Sequence, residues 1–214
     1  MEVDERVKGA VLTMIVFLGV LGNISVIAYI CRKRSRLKSN YSYIILHLAI
    51  CDLFYLLFFI PKVYSIFSAS PFIASSSYLL CRTLRPVQTV AFTTGANVLV
   101  IISVLRHRVT LHPLEPAVRR RTLNIILTIV YVVALICVIP LVMVLTFDEM
   151  SGCNEEWPKQ SLNIAYTIFL SVIQFFQPVA FLSIIYFKIG KELLARKSIF
   201  ILINARNQMQ QQST

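Results

Sequence analysis

Residues 9–31 read GAVLTMIVFLGVLGNISVIAYIC, 23 positions without one charged side chain. An α-helix rises about 1.5 Å per residue, so such a run covers the ~30 Å of hydrocarbon in a bilayer. Four further runs follow: Ser39–Pro61, broken only by Asp52, then Pro86–Leu105, Thr122–Phe147 and Gln160–Phe187. Backbone polar groups in lipid must bond within their own segment, so each run is expected to be a helix. The period-2 alternation of a membrane barrel is absent. The fold class expected is all-α, a helical transmembrane bundle with five spans at about 9–31, 40–66, 78–108, 122–146 and 161–188. Residues 1–8 precede the bundle and 189–214 form a tail. The composition agrees, since 57% of the 214 residues are hydrophobic and only 14% are charged. A soluble enzyme or a disordered chain would carry far more charge.

The net charge of +11 is unevenly placed. Three segments hold 15 of the 21 basic residues: Arg32 to Lys38, Arg106 to Arg121, and the region from Lys188 onward. They contain only two acids, Glu115 and Glu192. The opposite side has Glu2, Asp4, Glu5, Asp148, Glu149, Glu155 and Glu156 against six basic residues. By the positive-inside rule the N-terminus is extracellular and the tail cytoplasmic. Topology therefore accounts for the basic balance, and no nucleic-acid partner is implied. The start lacks a basic n-region, so span one is expected to act as an uncleaved signal-anchor. Asn23-Ile-Ser25 lies in a span and Asn40-Tyr-Ser42 on the cytoplasmic side, so neither is a glycosylation acceptor. No internal repeat of transporter type is visible. The tail is expected to continue helically through Lys197 and to be irregular in the Gln-rich stretch from Asn207.

Five cysteines occur, and under this topology only Cys81 and Cys153 face the oxidising side. A disulfide between them would pin an outer loop over the bundle, with two free thiols as the alternative. Cys31, Cys51 and Cys137 read as small packing residues. Asp52 is the one acid inside a span. A charge there costs at least ~2.5–3.5 kcal/mol, which marks the residue as functional unless it is a neutral, hydrogen-bonded carboxyl. One acid is too few for an aspartyl protease, there is no Gly-x-Ser-x-Gly elbow, and His47, His107 and His112 are scattered. No catalytic residue, metal site or cofactor is therefore expected. From Cys81 to Arg106 is 25 residues, about 38 Å of helix, so one helix joins the outer cysteine to the inner basic cluster. Thr93-Thr94-Gly95-Ala96-Asn97 within it allows close approach of neighbours. Pro86 falls in its first turns, where the missing N–H is tolerated. Pro61, Pro140 and Pro178 bend other spans and open room in the outer half.

Together these residues resemble the rhodopsin-like G-protein-coupled receptors, over Gly9 to Arg196. Span one carries Gly22-Asn23-Ile24-Ser25-Val26, like the family's Gly-Asn-x-x-Val. Span two carries Asn40 and Leu48-Ala49-Ile50-Cys51-Asp52-Leu53. Cys81 and Cys153 match the family's disulfide, and Arg106 is followed by His112-Pro113-Leu114 as after its Asp-Arg-Tyr. Phe175, Pro178 and Tyr186 match span five. The resemblance implies a polar core at Asn23 and Asp52, G-protein coupling through Arg106 and Tyr186, and a ligand cavity lined by Gln88 and Phe175. It implies as partners an extracellular peptide ligand and a heterotrimeric G protein, in a plasma membrane.

The departures are informative. Leu105 stands where the family has the acid that pairs with Arg106, which implies raised basal activity. His47 replaces the usual Asn near Asp52, and Val130-Tyr131 stands where span four has its tryptophan. Gly95 occupies the place of a common sodium-coordinating serine, which argues against a sodium role for Asp52. The Cys-Trp-x-Pro and Asn-Pro-x-x-Tyr of spans six and seven have no counterpart in these 214 residues. Gln88 sits where amine receptors have an aspartate, and Pro86-Val87-Gln88-Thr89-Val90 looks like receptors of the orexin and neuropeptide FF type. The acidic outer loop suits a basic or amidated peptide by electrostatic steering. Two other readings stand beside the neuropeptide receptor: a truncated, non-signalling isoform that modulates other receptors, and a small transporter or channel.

Overall fold

The computed structural model describes residues 2–32, 39–60, 63, 78–148 and 152–212. The basic stretch 33–38, Pro61 and Glu149 singled out in the sequence lie outside them. The elements are α1 (Glu2–Arg32), α2 (Asn40–Leu57), α3 (Tyr78–Leu111), α4 (Arg120–Val144), β1 (Leu145–Asp148), β2 (Gly152–Glu155), α5 (Gln160–Ser171), a π-helical turn (Val172–Phe176) and α6 (Gln177–Gln212). Among the described residues five helical stretches are long and apolar enough to cross a membrane, the last formed by α5, the π turn and α6 together. This is a multi-pass membrane bundle.

Helix ends differ from the uncharged runs for local reasons. α3 continues past Arg106 until His112, whose position before Pro113 disfavours the helical conformation. With its start at Tyr78, Pro86 is interior rather than in the opening turns, and the Arg82 carbonyl loses its usual donor. The π turn ends two residues before Pro178, where the extra residue moves the preceding carbonyls away from the ring. α6 runs on to Gln212, where the sequence reading expected an irregular tail from Asn207. No Pro or Gly interrupts Lys191–Gln212, and Gln, Met and Arg propagate a helix well.

The architecture is not purely helical. Leu145, Thr146 and Phe147, read in the sequence as the end of span four, instead form the first strand of an antiparallel hairpin. Its register pairs Leu145 with Glu155, Thr146 with Asn154, Phe147 with Cys153 and Asp148 with Gly152. Thr146 and Phe147 have good β propensity. Leu145 also buries its side chain against Cys81, Val138 and Leu141.

Packing centres on α3, which touches α2, α4, α6, the π turn and β1, while α1 packs on α2. Thr93, Thr94 and Ser103 are buried along α3. Thr93 Oγ1 donates to the Thr89 carbonyl at 2.7 Å and Ser103 Oγ to that of Val100 at 2.7 Å. Thr93 and Ser103, small side chains whose hydroxyls are satisfied within their own helix, let neighbours come close, whereas the buried Thr94 Oγ1 has no hydrogen-bond partner among the described residues. At the Arg106 end Ile44, Val98, Ile102, Leu123 and Leu127 close a core between α2, α3 and α4, with Leu105 packed against it.

Two of the departures meet between α2 and α4. His47 Nδ1 and the Tyr131 hydroxyl are hydrogen-bonded at 3.1 Å, and the Cys51 sulfur lies 3.7 Å from the same hydroxyl. The Tyr43 ring meets His47 edge-on, with centroids 4.7 Å apart. Tyr131→Phe is expected to lower stability by about 0.5–1.5 kcal/mol, the range of interhelical hydrogen bonds in bundles. In a His47→Ala background the same substitution is expected to cost little. A double-mutant cycle of thermal unfolding in detergent checks this, and additive effects would show that the bond contributes nothing.

Candidate functional site

At one end of the bundle the hairpin is fastened to two helices. Cys153 on β2 forms a disulfide with Cys81 on α3, with Cα atoms 5.5 Å apart. Arg85 on α3 pairs with Glu155 Oε1 at 3.3 Å, and Trp157 Nε1 donates to Glu155 Oε2 at 3.1 Å. The Trp157 and Tyr166 rings lie 5.1 Å apart, and the Tyr166 hydroxyl donates to the Cys137 carbonyl at 3.0 Å. Glu155 is thus committed to holding the loop, although the sequence placed it among free acids. Trp157 went unremarked there. As the only tryptophan, four residues past a cysteine on the outer side, it carried a signal.

Inside the bundle a cavity of about 360 Å³ lies between α1, α2, α3 and the fifth span. Asn23, Asp52, Gly95, Gln174, Phe175 and Pro178 are among its lining residues. Asn23 Nδ2 donates to the Gly19 carbonyl at 3.0 Å. Asp52 has no hydrogen-bond or ion-pair partner among the described residues. A Cβ placed on Gly95 would stand 3.6 Å from Asp52 Oδ1, so a larger residue there would touch the carboxylate. Gln174 Nε2 donates to Thr93 Oγ1 at 2.7 Å, bridging the π turn to α3. The sequence reading missed Gln174, a polar residue four positions before Pro178 in an uncharged run. Phe175 therefore shares a cavity with Asn23 and Asp52. Gln88, half-buried on α3, is not among the residues lining it.

A second cavity, about 660 Å³, opens at the other end. Asn40, Leu105, Arg106, Arg108, His112 and Glu115 line it, with Val109, Pro113 and Val118. Arg106 makes no ion pair or hydrogen bond among the described residues. Glu115 instead takes Arg108 at 3.0 Å and His112 at 3.7 Å. Asn40 donates to the Val118 carbonyl, and the Arg120 guanidinium lies 3.5 Å over the Tyr43 ring centroid. Leu114 is 98% exposed beside this cavity. Arg196 on α6 donates to the Thr110 and Leu111 carbonyls at 3.3 and 3.2 Å, and Glu192 holds it at 3.3 Å. Tyr186 is exposed on α6 and is not among the residues lining the cavity with Arg106.

Comparison with known proteins matches residues 22–212 to the 7 transmembrane receptor (rhodopsin family) model. Prokineticin receptor 1 of Bos taurus is 25% identical over 197 residues, covering 87% of this chain and 50% of the relative. Prokineticin receptor 2 of Homo sapiens is 24% identical, covering 87% and 51%. The RYamide receptor of Drosophila melanogaster is 28% identical over 196 residues, covering 86% and 41%. The chain spans about half the length of the curated relatives it matches.

The disulfide closes a sequence separation of 72 residues and is the only covalent tie between the hairpin and α3. Cys81→Ser is expected to lower stability by about 2–4 kcal/mol. Cys153→Ser should cost the same, and the double variant no more than either. Thermal unfolding in detergent with and without reductant reads this: reductant should lower the Tm of the unsubstituted chain and leave the variants unmoved.

Proposed function

The chain belongs to the rhodopsin family of seven-transmembrane receptors, and from that premise we propose that it recognises an extracellular peptide and signals to a heterotrimeric G protein. The observation that carries this reading is the layout of α3. Its Cys81 end holds the hairpin beside the bundle mouth, and its other end presents the unpaired Arg106. The positive-inside rule orients the hairpin end outward, with residues 1–8 extracellular and 189–214 cytoplasmic. Prokineticin and RYamide receptors, by their names, take peptide-type ligands, which supports a peptide here alongside the orexin-like motif at Gln88. Gln88 near the mouth, with Phe175 and Gln174 below, forms the ligand-facing surface. Asn23 and Asp52 form the polar core beneath it. Exposed Glu156 remains to steer a basic or amidated peptide, while Glu155 is occupied.

At the opposite end Arg106, Tyr186 and the bare Leu114 face the G protein. An exposed leucine beside an unpaired arginine gives an apolar anchor and a charge within one contact area. A second reading is a non-signalling partner of full-length receptors. It is favoured by the exposed Phe175, Phe176 and Val179 on the fifth span, an apolar face for another receptor helix. The chain co-expressed with a promiscuous G protein and exposed to amidated peptides separates the two. A peptide response supports the receptor. No response, with lowered surface delivery of a co-expressed receptor, supports the partner.

Leu105→Asp restores the acid beside Arg106 and is expected to lower basal signalling about five-fold, as a bias of ~1 kcal/mol would. It also removes Leu105 from the Ile44–Leu123 core, so Leu105→Asn serves as the control for lost packing. Reporter assays normalised to surface expression should show the drop for Asp only. An equal drop for Asn would attribute it to packing.

A further inference from the structure

We propose that α6 beyond the bundle, from Lys188 to Arg206, is a docking helix for an acidic protein that encloses a single helix in an apolar groove. The segment begins where the uncharged run of the fifth span ends. Leu193 and Leu194 are 49% and 68% exposed on it. Seven residues on, Phe200 and Ile201 repeat that pair, and seven residues bring a helix back to within about 20° of the same azimuth. Ser198, between the two pairs, donates its hydroxyl to the Leu194 carbonyl at 3.1 Å, so that donor is satisfied within the helix.

The run Ile199-Phe200-Ile201-Leu202-Ile203 does more than extend a stripe. Successive residues of an α-helix step by about 100°, so five in a row place apolar residues around the whole axis. Arg196 is level with the Thr110 and Leu111 carbonyls at the end of α3. The run follows three to seven residues later, about 5–10 Å farther along the axis, and no Pro or Gly breaks α6 over that distance. Five residues are too few to cross a bilayer, and a membrane surface would cover one side of them only. A groove that wraps a helix covers most of the circumference.

Charge selects the occupant. Lys188, Lys191, Arg196, Lys197 and Arg206 flank the run, and the one acid in the segment, Glu192, is held by Arg196 at 3.3 Å. A second copy of this helix would bring the same charge and be repelled. An acidic groove lined by flexible apolar side chains complements both the basic flanks and the run. Placing that partner in the cytoplasm rests on the topology proposed above.

The full chain in phosphatidylcholine nanodiscs, titrated calorimetrically with calmodulin as a probe of this groove chemistry, tests the site. The substituted positions lie outside the peptide and Arg106 sites, so failure leaves the receptor reading standing. A one-to-one complex is expected with calcium and none in EDTA, where calmodulin keeps its acidic charge but closes its groove. Phe200→Asp should weaken the complex about thirty-fold, and Phe200→Leu no more than about three-fold. Glu192→Gln removes the one acid and should tighten it about three-fold, a gain that misfolding cannot produce. No binding with calcium, equal binding in EDTA, no response to Phe200→Asp or no gain in Glu192→Gln would overturn the docking helix. Hydrogen-exchange protection of 198–206 by phosphatidylserine nanodiscs in the absence of calmodulin would also overturn it, assigning the run to the membrane.

Discussion

A backbone that crosses hydrocarbon has no water to bond to, so each crossing segment must close its own N–H···O=C ladder. Everything else in this bundle is arranged within that requirement. Polar side chains on the crossing helices largely bond to their own helix, as Thr13, Asn23, Thr93, Asn97 and Ser103 do. The small buried residues of α3 can then approach five other elements, with Thr93 and Ser103 bonded within the helix and only Thr94 Oγ1 among them left without a partner among the described residues. Side-chain links between helices within the bundle include Gln174 with Thr93, His47 with Tyr131, and Tyr166 with the Cys137 carbonyl.

The parts of the fold legible in sequence were those set by this same requirement. Uncharged runs located five crossings because charge is excluded from lipid whatever the packing. The runs did not locate the helix ends. Leu145, Thr146 and Phe147 carry no charge, like the helix before them, and pairing with Asn154, Cys153 and their neighbours turns them into a strand. Likewise α3 stops at a Pro113 constraint, not at its last apolar residue. The Gln-rich tail looked irregular by composition, yet local propensity without a breaker keeps it helical.

The candidate site was legible residue by residue and much less as an assembly. Asn23, Asp52, Phe175, Cys81, Cys153 and Arg106 were each singled out by type and place. That Phe175 would share a cavity with Asp52 rather than with Gln88 depends on the azimuth of the π turn, which composition does not encode. Nor could spacing show that Glu115 spends its carboxylate on Arg108 and His112 while leaving Arg106 bare. The departures also make joint sense only in three dimensions. A histidine on α2 and a tyrosine on α4 look like two unrelated substitutions along the chain, and they are one contact across the interface. Leu105 is likewise a packed member of the inner core as much as a missing acid.

Arg196 gives α6 a property that its length alone does not. Its two hydrogen bonds reach the last two carbonyls of α3, and Glu192 one turn earlier steadies the guanidinium. Turning α6 about its axis by one residue position, about 100°, would swing that side chain away from both acceptors. The contact therefore works as a key in a keyway. It fixes the angular phase of a long shaft at a point beyond the apolar core, so any twist of the fifth span is reported at the tip of the third.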